Sequence, residues 1–186
     1  MHERRYNRAV ERLRDPERVS RLEVPRVVDL ILEGQKPGSV LDVGVGSGLF
    51  AEAFAARGLR AAGVDANPDM LPAAQEFVPG GVFKQGTAEA LPFQDGEFDL
   101  VFLGLVLHET DDPLLALREA RRVARLRVAV LEWPYREAEF GPPLSDRLPV
   151  QKVLEMAGQA GLAASGPALL QNLVLYRFDV PAEARP

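Results

Sequence analysis

The sequence predicts an α/β protein with a doubly wound, mostly parallel seven-stranded sheet and helices on both faces. Two observations carry this prediction. From Pro37 onward, short apolar runs alternate with stretches of helical spacing, which is typical of parallel sheets with crossover helices. One such run, Val40–Val43, leads directly into a glycine-rich turn and a helix. The length of 186 residues is enough for one core, so we expect a single domain.

The predicted elements follow the chain in a regular order. Residues 1–34 are expected to be helical, with Asp15 as an N-cap before Pro16 and a second boundary at Val24-Pro25. Further helices are predicted over 49–57, 68–77, 113–125 and 150–158, the third of them capped by Asp111-Asp112 before Pro113. Strands are predicted over 40–43, 60–64, 82–85, 98–106, 127–133, 164–170 and 173–178.

Composition excludes several classes of function. The net charge of −5 argues against a general nucleic-acid binder. The chain has no cysteine and only two histidines, one of them near the terminus, so we expect no metal site. No apolar run reaches the roughly 18 residues of a membrane span, and we expect a cytoplasmic protein without membrane contact. Eight arginines lie between Arg4 and Arg26; we interpret them as a solvated helix face beside a cleft, with a basic arm for an anionic partner as the alternative.

The glycine turn at 44–48 is the first candidate ligand site. Gly44, Gly46 and Gly48 permit positive φ and bring bare backbone to a ligand. Such a turn is expected to aim amides and a helix N-terminus at the ligand. The spacing G-x-G-x-G differs from the dinucleotide pattern G-x-G-x-x-G. A structural turn without a ligand therefore remains open at this point.

Asp65 narrows the ligand class. It ends the second predicted strand, 21 positions after Gly44, where a carboxylate can accept hydrogen bonds from a ribose diol. Helix capping is the alternative, but Asn67 already occupies the capping position before Pro68. This pattern suits adenosine ligands in general and does not choose between a nicotinamide dinucleotide and others.

Five segments in register carry a resemblance to a known family. Together they resemble class I S-adenosylmethionine-dependent methyltransferases, and within them the branch that includes the ubiquinone and menaquinone biosynthesis enzymes. The resemblance covers residues 38–133 and implies a Rossmann-like fold, S-adenosyl-L-methionine as cofactor and S-adenosyl-L-homocysteine as product. The segments are Val40–Gly48, Val64–Leu71, Gly86–Phe93, Phe98–Val101 and Val106–Glu109.

The resemblance also implies which residues bind the cofactor. Asp42 would lie near the amino group of the methionine half, Asp65 would hold the ribose, and Leu103 would offer its carbonyl to the ammonium. The remaining implied contacts are Gly44, Val45 and Gly46 to the methionine half, Ala66 beside the adenine, and Thr87 and Ala88 at the adenine edge. Two departures stand out: Thr87 replaces the family's usual aspartate, and the Pro-Gly-Gly turn before the fifth strand is missing.

Six residues are candidates for the acceptor side. His108 follows the fourth strand and is the predicted general base, since histidine titrates near neutrality. Glu109 and Glu132 are predicted to orient an amine or hydroxyl, with capping or solvation as the alternative. Trp133 and Tyr135 would wall the acceptor pocket, and Arg147 would hold an acidic acceptor; core packing and a structural ion pair are the respective alternatives.

The sequence therefore predicts methyl transfer to a small-molecule acceptor by in-line displacement. The expected organisation is a helical lid over 1–34, a cofactor-binding core over 38–133, and a substrate-side loop, helix and last strands over 134–186. Three alternatives remain: a non-catalytic S-adenosylmethionine-binding protein, a methyltransferase acting on RNA or protein, and a nucleotide-dependent oxidoreductase. Neither the acceptor nor the oligomeric state follows from the sequence.

Overall fold

Each predicted apolar run forms a strand of one seven-stranded sheet in the computed structural model, which describes residues 10–182. The order across the sheet is β3-β2-β1-β4-β5-β7-β6. β7 runs antiparallel to both of its neighbours, and the other pairs are parallel. The predicted fold class is therefore confirmed. The strands are β1 (Ser39–Val43), β2 (Arg60–Asp65), β3 (Val82–Gln85), β4 (Phe98–Gly104), β5 (Ala124–Glu132), β6 (Ala163–Leu169) and β7 (Val174–Asp179).

Helices cover both faces of the sheet because side chains alternate along each strand. Val40 packs with α3 and α4 on one face, whereas Leu41 packs with α6 and α7 on the other. Within residues 10–182, none of the helices combines the length and apolar character that crossing a lipid bilayer requires. The helices are α1 (Val10–Leu13), α2 (Pro16–Arg21), α3 (Val24–Leu32), α4 (Leu49–Ala55), α5 (Leu71–Phe77), α6 (Pro113–Val123) and α7 (Val150–Gln159).

Three predicted N-caps are confirmed by their hydrogen bonds. The Asp15 carboxylate accepts from the Arg18 amide at 3.0 Å, and the Asp112 carboxylate accepts from the Leu115 amide at 3.0 Å. The Asn67 side chain accepts from the amide two residues later, at 3.1 Å. Asn67 caps a 3-10 turn over Pro68–Met70 that precedes α5, so the helix predicted from residue 68 begins with a tighter turn.

The passage from α6 into β5 differs from the predicted boundaries. α6 ends at Val123, and β5 begins at Ala124 rather than at Arg127. Ala124 already has extended backbone angles and pairs with Phe98, and the register shifts between this pair and the next. The helix therefore enters the strand without an intervening turn, in agreement with the absence of a Pro-Gly-Gly sequence.

The sheet order reverses at β1. The chain proceeds from β1 to β2 and β3 in one direction, and β4 and β5 follow on the other side of β1. In such sheets the crevice beyond the carboxyl ends of the strands, at the point of reversal, is where ligands bind. The residues that follow β1, β2 and β4 therefore define the place to look for a site.

Candidate active site

A cavity of about 1320 Å³ lies at the carboxyl ends of β1, β2 and β4. Ligand pockets for single small molecules are usually about 300–1,000 Å³, so this cavity has room for a cofactor and a second molecule. Of the predicted site residues, eleven line its wall: Asp42, Gly44, Val45, Gly46, Asp65, Ala66, Thr87, Ala88, His108, Glu109 and Trp133.

The amides of the glycine turn are engaged within the protein. The amides of Gly44 and Val45 both donate to the Val64 carbonyl, at 2.8 and 2.9 Å. The Gly46 amide donates to Asp65 Oδ2 at 2.8 Å, and the Gly48 amide donates to the Val45 carbonyl. The expectation that these amides point at a ligand is therefore wrong. The turn lines the cavity with its other backbone atoms, and a Cβ on Gly44 would lie 2.8 Å from Val106 Cγ2.

Asp65 is held in place by two amides. Its Oδ2 accepts from Gly46 N at 2.8 Å and its Oδ1 accepts from Asn67 N at 2.9 Å. An ionised carboxylate offers about four lone-pair positions, so about two remain on the cavity side. Burial raises the pKa of Asp65, and the two amide bonds act in the opposite direction. The side chain is thus oriented by the turn and retains capacity for a diol.

Asp42 is the most deeply buried acid on the cavity wall. It is 2% exposed and belongs to β1. Burial raises the pKa of Asp42 to about 8; a backbone hydrogen bond from Ala51 opposes this, and the charge of Asp65 adds to it. Its carboxyl group is therefore largely protonated at neutral pH and would ionise beside a cation.

The end of β4 supplies the next part of the wall. Leu103 is wholly buried in the sheet, between Val43 and Val130 of the neighbouring strands, and is not on the cavity wall. The residues that follow it, Gly104 and Leu105, are on the wall. Leu105 has a φ of 60°, a left-handed conformation that costs a residue with a side chain about 1–3 kcal/mol. The sequence places both residues at the carboxyl end of the fourth strand, where ligands are expected, but assigns neither of them a contact.

His108 is bound to Glu132. Its Nδ1 lies 2.8 Å from Glu132 Oε2, and its backbone amide donates to Glu132 Oε1 at 3.1 Å. A carboxylate can only accept, so Nδ1 carries the proton and the neutral ring keeps its lone pair on Nε2. Nε2 lies 3.8 Å from Glu109 Oε1, and His108 is on the cavity wall. The pair is thus arranged to present a base to the cavity.

The protonation of His108 depends on opposing effects. Burial lowers the pKa of the imidazole, but the hydrogen bond and the charge of Glu132 raise it, as do the charges of Glu109 and Asp146. The net result is a pKa above the usual value of 6.5. Such a base accepts a proton more readily than a free histidine.

Glu132 does not occupy its predicted position. Its side chain is 1% exposed, is not on the cavity wall, and also accepts a hydrogen bond from the Trp133 amide at 3.2 Å. The prediction that it faces the acceptor is therefore wrong, and its partner is His108. Trp133 does line the cavity, whereas Tyr135 is 50% exposed and lies outside the wall.

Arg147 fastens the loop after β5. It is 4% exposed and is not on the cavity wall. Both the acceptor role and the alternative ion pair are therefore incorrect, because within residues 10–182 the hydrogen bonds of its guanidinium all go to backbone carbonyls. These belong to Pro134 (3.1 Å), Arg136 (2.6 Å), Phe140 (2.7 Å) and Pro142 (2.9 Å).

Replacing Arg147 with methionine is expected to lower the free energy of unfolding by about 2–4 kcal/mol, because hydrogen bonds to charged groups contribute about 1.5–3 kcal/mol each and are not additive. Arg136→Met is the matched control, since Arg136 is an exposed arginine of the same loop. Urea unfolding measures both variants. Equal midpoints would show that the carbonyl bonds do not hold the loop.

Two segments distant in sequence cover the mouth of the cavity. Leu13, Arg18, Arg21 and Leu22 come from α1, α2 and their boundaries, and the loop after β5 contributes Glu139, Phe140, Gly141, Pro142 and Asp146. The Arg21 guanidinium lies 4.2 Å from the centre of the Phe140 ring, which joins the two segments. Arg14 ties the first segment to α4 through an ion pair with Glu52 at 2.8 Å.

Comparison with known proteins shows what part of the chain is similar to. A family model described as a methyltransferase domain matches residues 41–128. The uncharacterized methyltransferase YcgJ of Bacillus subtilis (strain 168) is 40% identical over 91 residues, which cover 46% of this chain and 36% of the relative. The demethylmenaquinone methyltransferase of Renibacterium salmoninarum is 35% identical over 117 residues, 62% of this chain and 48% of the relative. The chain thus spans less than half the length of either relative.

Solved structures share the fold over most of the chain. A SAM-dependent methyltransferase from Aquifex aeolicus has a TM-score of 0.82 at 23% identity, covering 92% of this chain and 97% of that one. The structure of Bacillus subtilis YcgJ has a TM-score of 0.65 at 26% identity, covering 80% and 72%. Residues 41–128, which match the methyltransferase domain, include Asp42, Asp65 and His108, and the chain shares the fold of S-adenosylmethionine-dependent methyltransferases of known structure.

Proposed function

We propose that the protein transfers a methyl group from S-adenosyl-L-methionine to a small-molecule acceptor. The observation that carries the proposal is the oriented base His108 on the wall of the same cavity that holds Asp65. A base placed beside the cofactor region serves proton removal from an acceptor. The match of residues 41–128 to a methyltransferase domain supports this function over the oxidoreductase alternative.

The residues on the cofactor side fit S-adenosylmethionine. Asp65 keeps lone pairs for a ribose diol after its two amide bonds. Asp42 is a buried acid whose ionisation a cation would favour, which suits the ammonium group of the methionine half. Thr87 and Ala88 lie on the wall where the adenine edge is expected, as does Ala66.

The chain's own residues contribute positioning, exclusion of water and proton removal. When bound, S-adenosylmethionine supplies a methyl group on a positively charged sulfur. Glu132 holds the imidazole of His108 so that Nε2 accepts the acceptor's proton. We assign the lid role to the two covering segments, within 1–34 and 134–150, because closure over the cavity excludes water from the reaction.

Calorimetry with S-adenosylmethionine, S-adenosylhomocysteine and NAD tests the first step. We expect both sulfur compounds to bind and NAD not to bind. The absence of binding heat with both sulfur compounds would overturn the proposal. Transfer of a labelled methyl group into a pool of small metabolites tests the second step. Tight binding without transfer to any metabolite would support the non-catalytic alternative.

A macromolecular acceptor receives less support from the structure. The arginine-rich segment was its basis, and Arg4, Arg5 and Arg8 lie outside the described residues. Arg14 is paired with Glu52, and Arg26 is paired with Glu23 at 2.8 Å. Both ion pairs give these two cations a role in the fold.

The raised pKa of Asp42 predicts that ligand binding releases a proton. At pH 7 the free protein holds the proton of Asp42, since its pKa is raised to about 8. The ammonium of bound S-adenosylhomocysteine lowers this pKa, so up to about one proton is released per molecule bound. Calorimetry in two buffers that differ in their enthalpy of protonation measures the number of protons released. The release should disappear well above pH 8, because Asp42 is then already ionised in the free protein.

Two variants control this measurement. Asp42→Asn should bind more weakly and release no proton, whereas Asp69→Asn, at an exposed position off the cavity wall, should behave like the unaltered protein. Proton release that persists in Asp42→Asn would assign the titration to another group.

A further inference from the structure

We propose that Arg14 is a positioning residue for the cofactor: it holds the first covering segment, residues 10–22, onto the glycine turn. Leu13 thereby closes the cavity over the methionine half of S-adenosylmethionine. The inference rests on the proposed function, which places that half beside Gly44 and Gly46. It adds a residue that lies outside the predicted set of cofactor contacts and acts through its neighbour.

The guanidinium of Arg14 bonds directly to the glycine turn. Its Nη2 donates to the Ser47 carbonyl at 2.9 Å, and its Nε donates to the same oxygen at 3.3 Å. Ser47 is buried and lies between Gly46 and Gly48. The amides of these two glycines are engaged within the protein, whereas the Ser47 carbonyl accepts from the covering segment. The turn is therefore an anchor for that segment as well as part of the cavity wall.

Two further contacts fix the same guanidinium. Its Nη1 forms an ion pair with Glu52 of α4 at 2.8 Å, and its Cζ lies 3.2 Å from the centre of the Phe77 ring of α5. The Arg14 side chain is partly buried, and a partly buried pair is screened less by salt than an exposed one. A guanidinium combines several N–H donors with a flat face that stacks on rings. The turn, α4 and α5 thus hold one side chain of the covering segment.

The position of Leu13 depends on this anchor. Leu13 directly precedes Arg14, is buried and lines the cavity. A Cβ built on Gly46 would lie 3.3 Å from Leu13 Cδ1, so the leucine packs against the turn. An apolar side chain at this place keeps water from the bound cofactor, which strengthens the electrostatic contacts inside the cavity.

The anchor also acts on the rest of the covering segment, because the turn between α1 and α2 is braced. Arg18 Nη1 donates to the Leu13 carbonyl at 2.8 Å, and the Asp15 side chain caps α2. α2 in turn places Arg18 and Arg21 on the cavity wall. We therefore expect loss of the Arg14 contacts to loosen the covering segment as a unit.

Hydrogen exchange measures the anchor without any need for activity. Arg14→Gln should speed amide exchange of residues 10–22 in the ligand-free protein by about fivefold or more, the equivalent of one lost hydrogen bond. Saturating S-adenosylhomocysteine should slow exchange of the same residues in the unaltered protein. Most of this slowing should be absent in Arg14→Gln.

The dissociation rate of S-adenosylhomocysteine separates a cofactor role from a purely structural one. Trp133 lines the cavity and is the only tryptophan of the chain, so its fluorescence follows release of the ligand after dilution. We expect release from Arg14→Gln to be about tenfold faster than from the unaltered protein. Glu52→Gln, which removes the ion pair but not the bonds to Ser47, should give a smaller acceleration.

Arg12→Gln is the matched control. Arg12 is an exposed arginine two positions earlier and is not on the cavity wall, so both rates should stay as in the unaltered protein. Unchanged exchange in Arg14→Gln, or changes as large in Arg12→Gln, would overturn the anchor. Faster exchange with an unchanged dissociation rate would overturn the cofactor role. Failure of the proposed function would appear separately, as absence of S-adenosylhomocysteine binding by the unaltered protein.

Discussion

Asp65→Ala is expected to weaken the binding of S-adenosylhomocysteine by about 100-fold or more, the equivalent of two charge-assisted hydrogen bonds. The substitution removes the acceptor of the ribose hydroxyls. It also leaves the amides of Gly46 and Asn67 without the partner that holds the turn. The loss should therefore exceed that expected from ligand contacts alone, and calorimetry measures it.

Asp69→Ala is the matched control for this variant. Asp69 lies four positions further along, is exposed and does not line the cavity, so its loss should change the affinity less than about twofold. Thermal unfolding without ligand separates a collapsed turn from a lost contact. An Asp65→Ala protein that binds as tightly as the unaltered chain would refute the ribose assignment.

His108→Gln is expected to lower kcat by about 10²- to 10⁴-fold, the usual contribution of a general base. Glu132→Gln should lower it comparably, because the amide can donate to Nδ1 and so favour the tautomer with the proton on Nε2. The kcat of the double variant should be only slightly lower than that of either single variant, since the two residues act as a unit. Glu76→Gln, an exposed position far from the cavity wall, is the control. Full turnover in His108→Gln would remove the base assignment.

The same pair predicts the pH dependence. Since the pKa of His108 is raised above 6.5 by Glu132, kcat/KM should rise with pH through a midpoint above that value, and Glu132→Gln should move the midpoint down. The contribution of His108 to the stability of the fold changes with pH in the opposite direction to kcat/KM. The contribution of protonated His108 is complete below the unfolded pKa near 6.5 and is lost as pH rises through the folded pKa. NMR titration is simple because the chain has only two histidines.

The fold was largely predictable because its signals are local. N-caps at Asp15, Asn67 and Asp112 and the apolar runs of β1 and β4 are each contained in a few neighbouring residues. The start of β5 was missed because Ala124 is a good helix former whose extended state is imposed by pairing with Phe98. Tertiary pairing overrides propensity in such cases.

Side-chain partners in the site were less predictable. The sequence predicts Glu132 on the acceptor side because it lies at the end of a strand, and Arg147 because a guanidinium group suits an acidic acceptor. Glu132 instead bonds to His108, 24 positions earlier, and Arg147 binds four carbonyls of its own loop. Sequence spacing specifies which end of the sheet a residue occupies but not which of several nearby groups its side chain meets.

The hydrogen bonds inside the glycine turn also predict which adenosine compounds the cavity binds poorly. ATP and NAD share the adenosine half of S-adenosylmethionine, and a ribose carboxylate such as Asp65 would accept all three. Their phosphates, however, would meet a turn whose amides at Gly44, Val45 and Gly46 are already engaged, and the carboxyl group of Asp42 nearby. We therefore expect discrimination among adenosine compounds to arise from amides that are already engaged, and from a buried acid that a cation would ionise and a phosphate would not, rather than from an added contact.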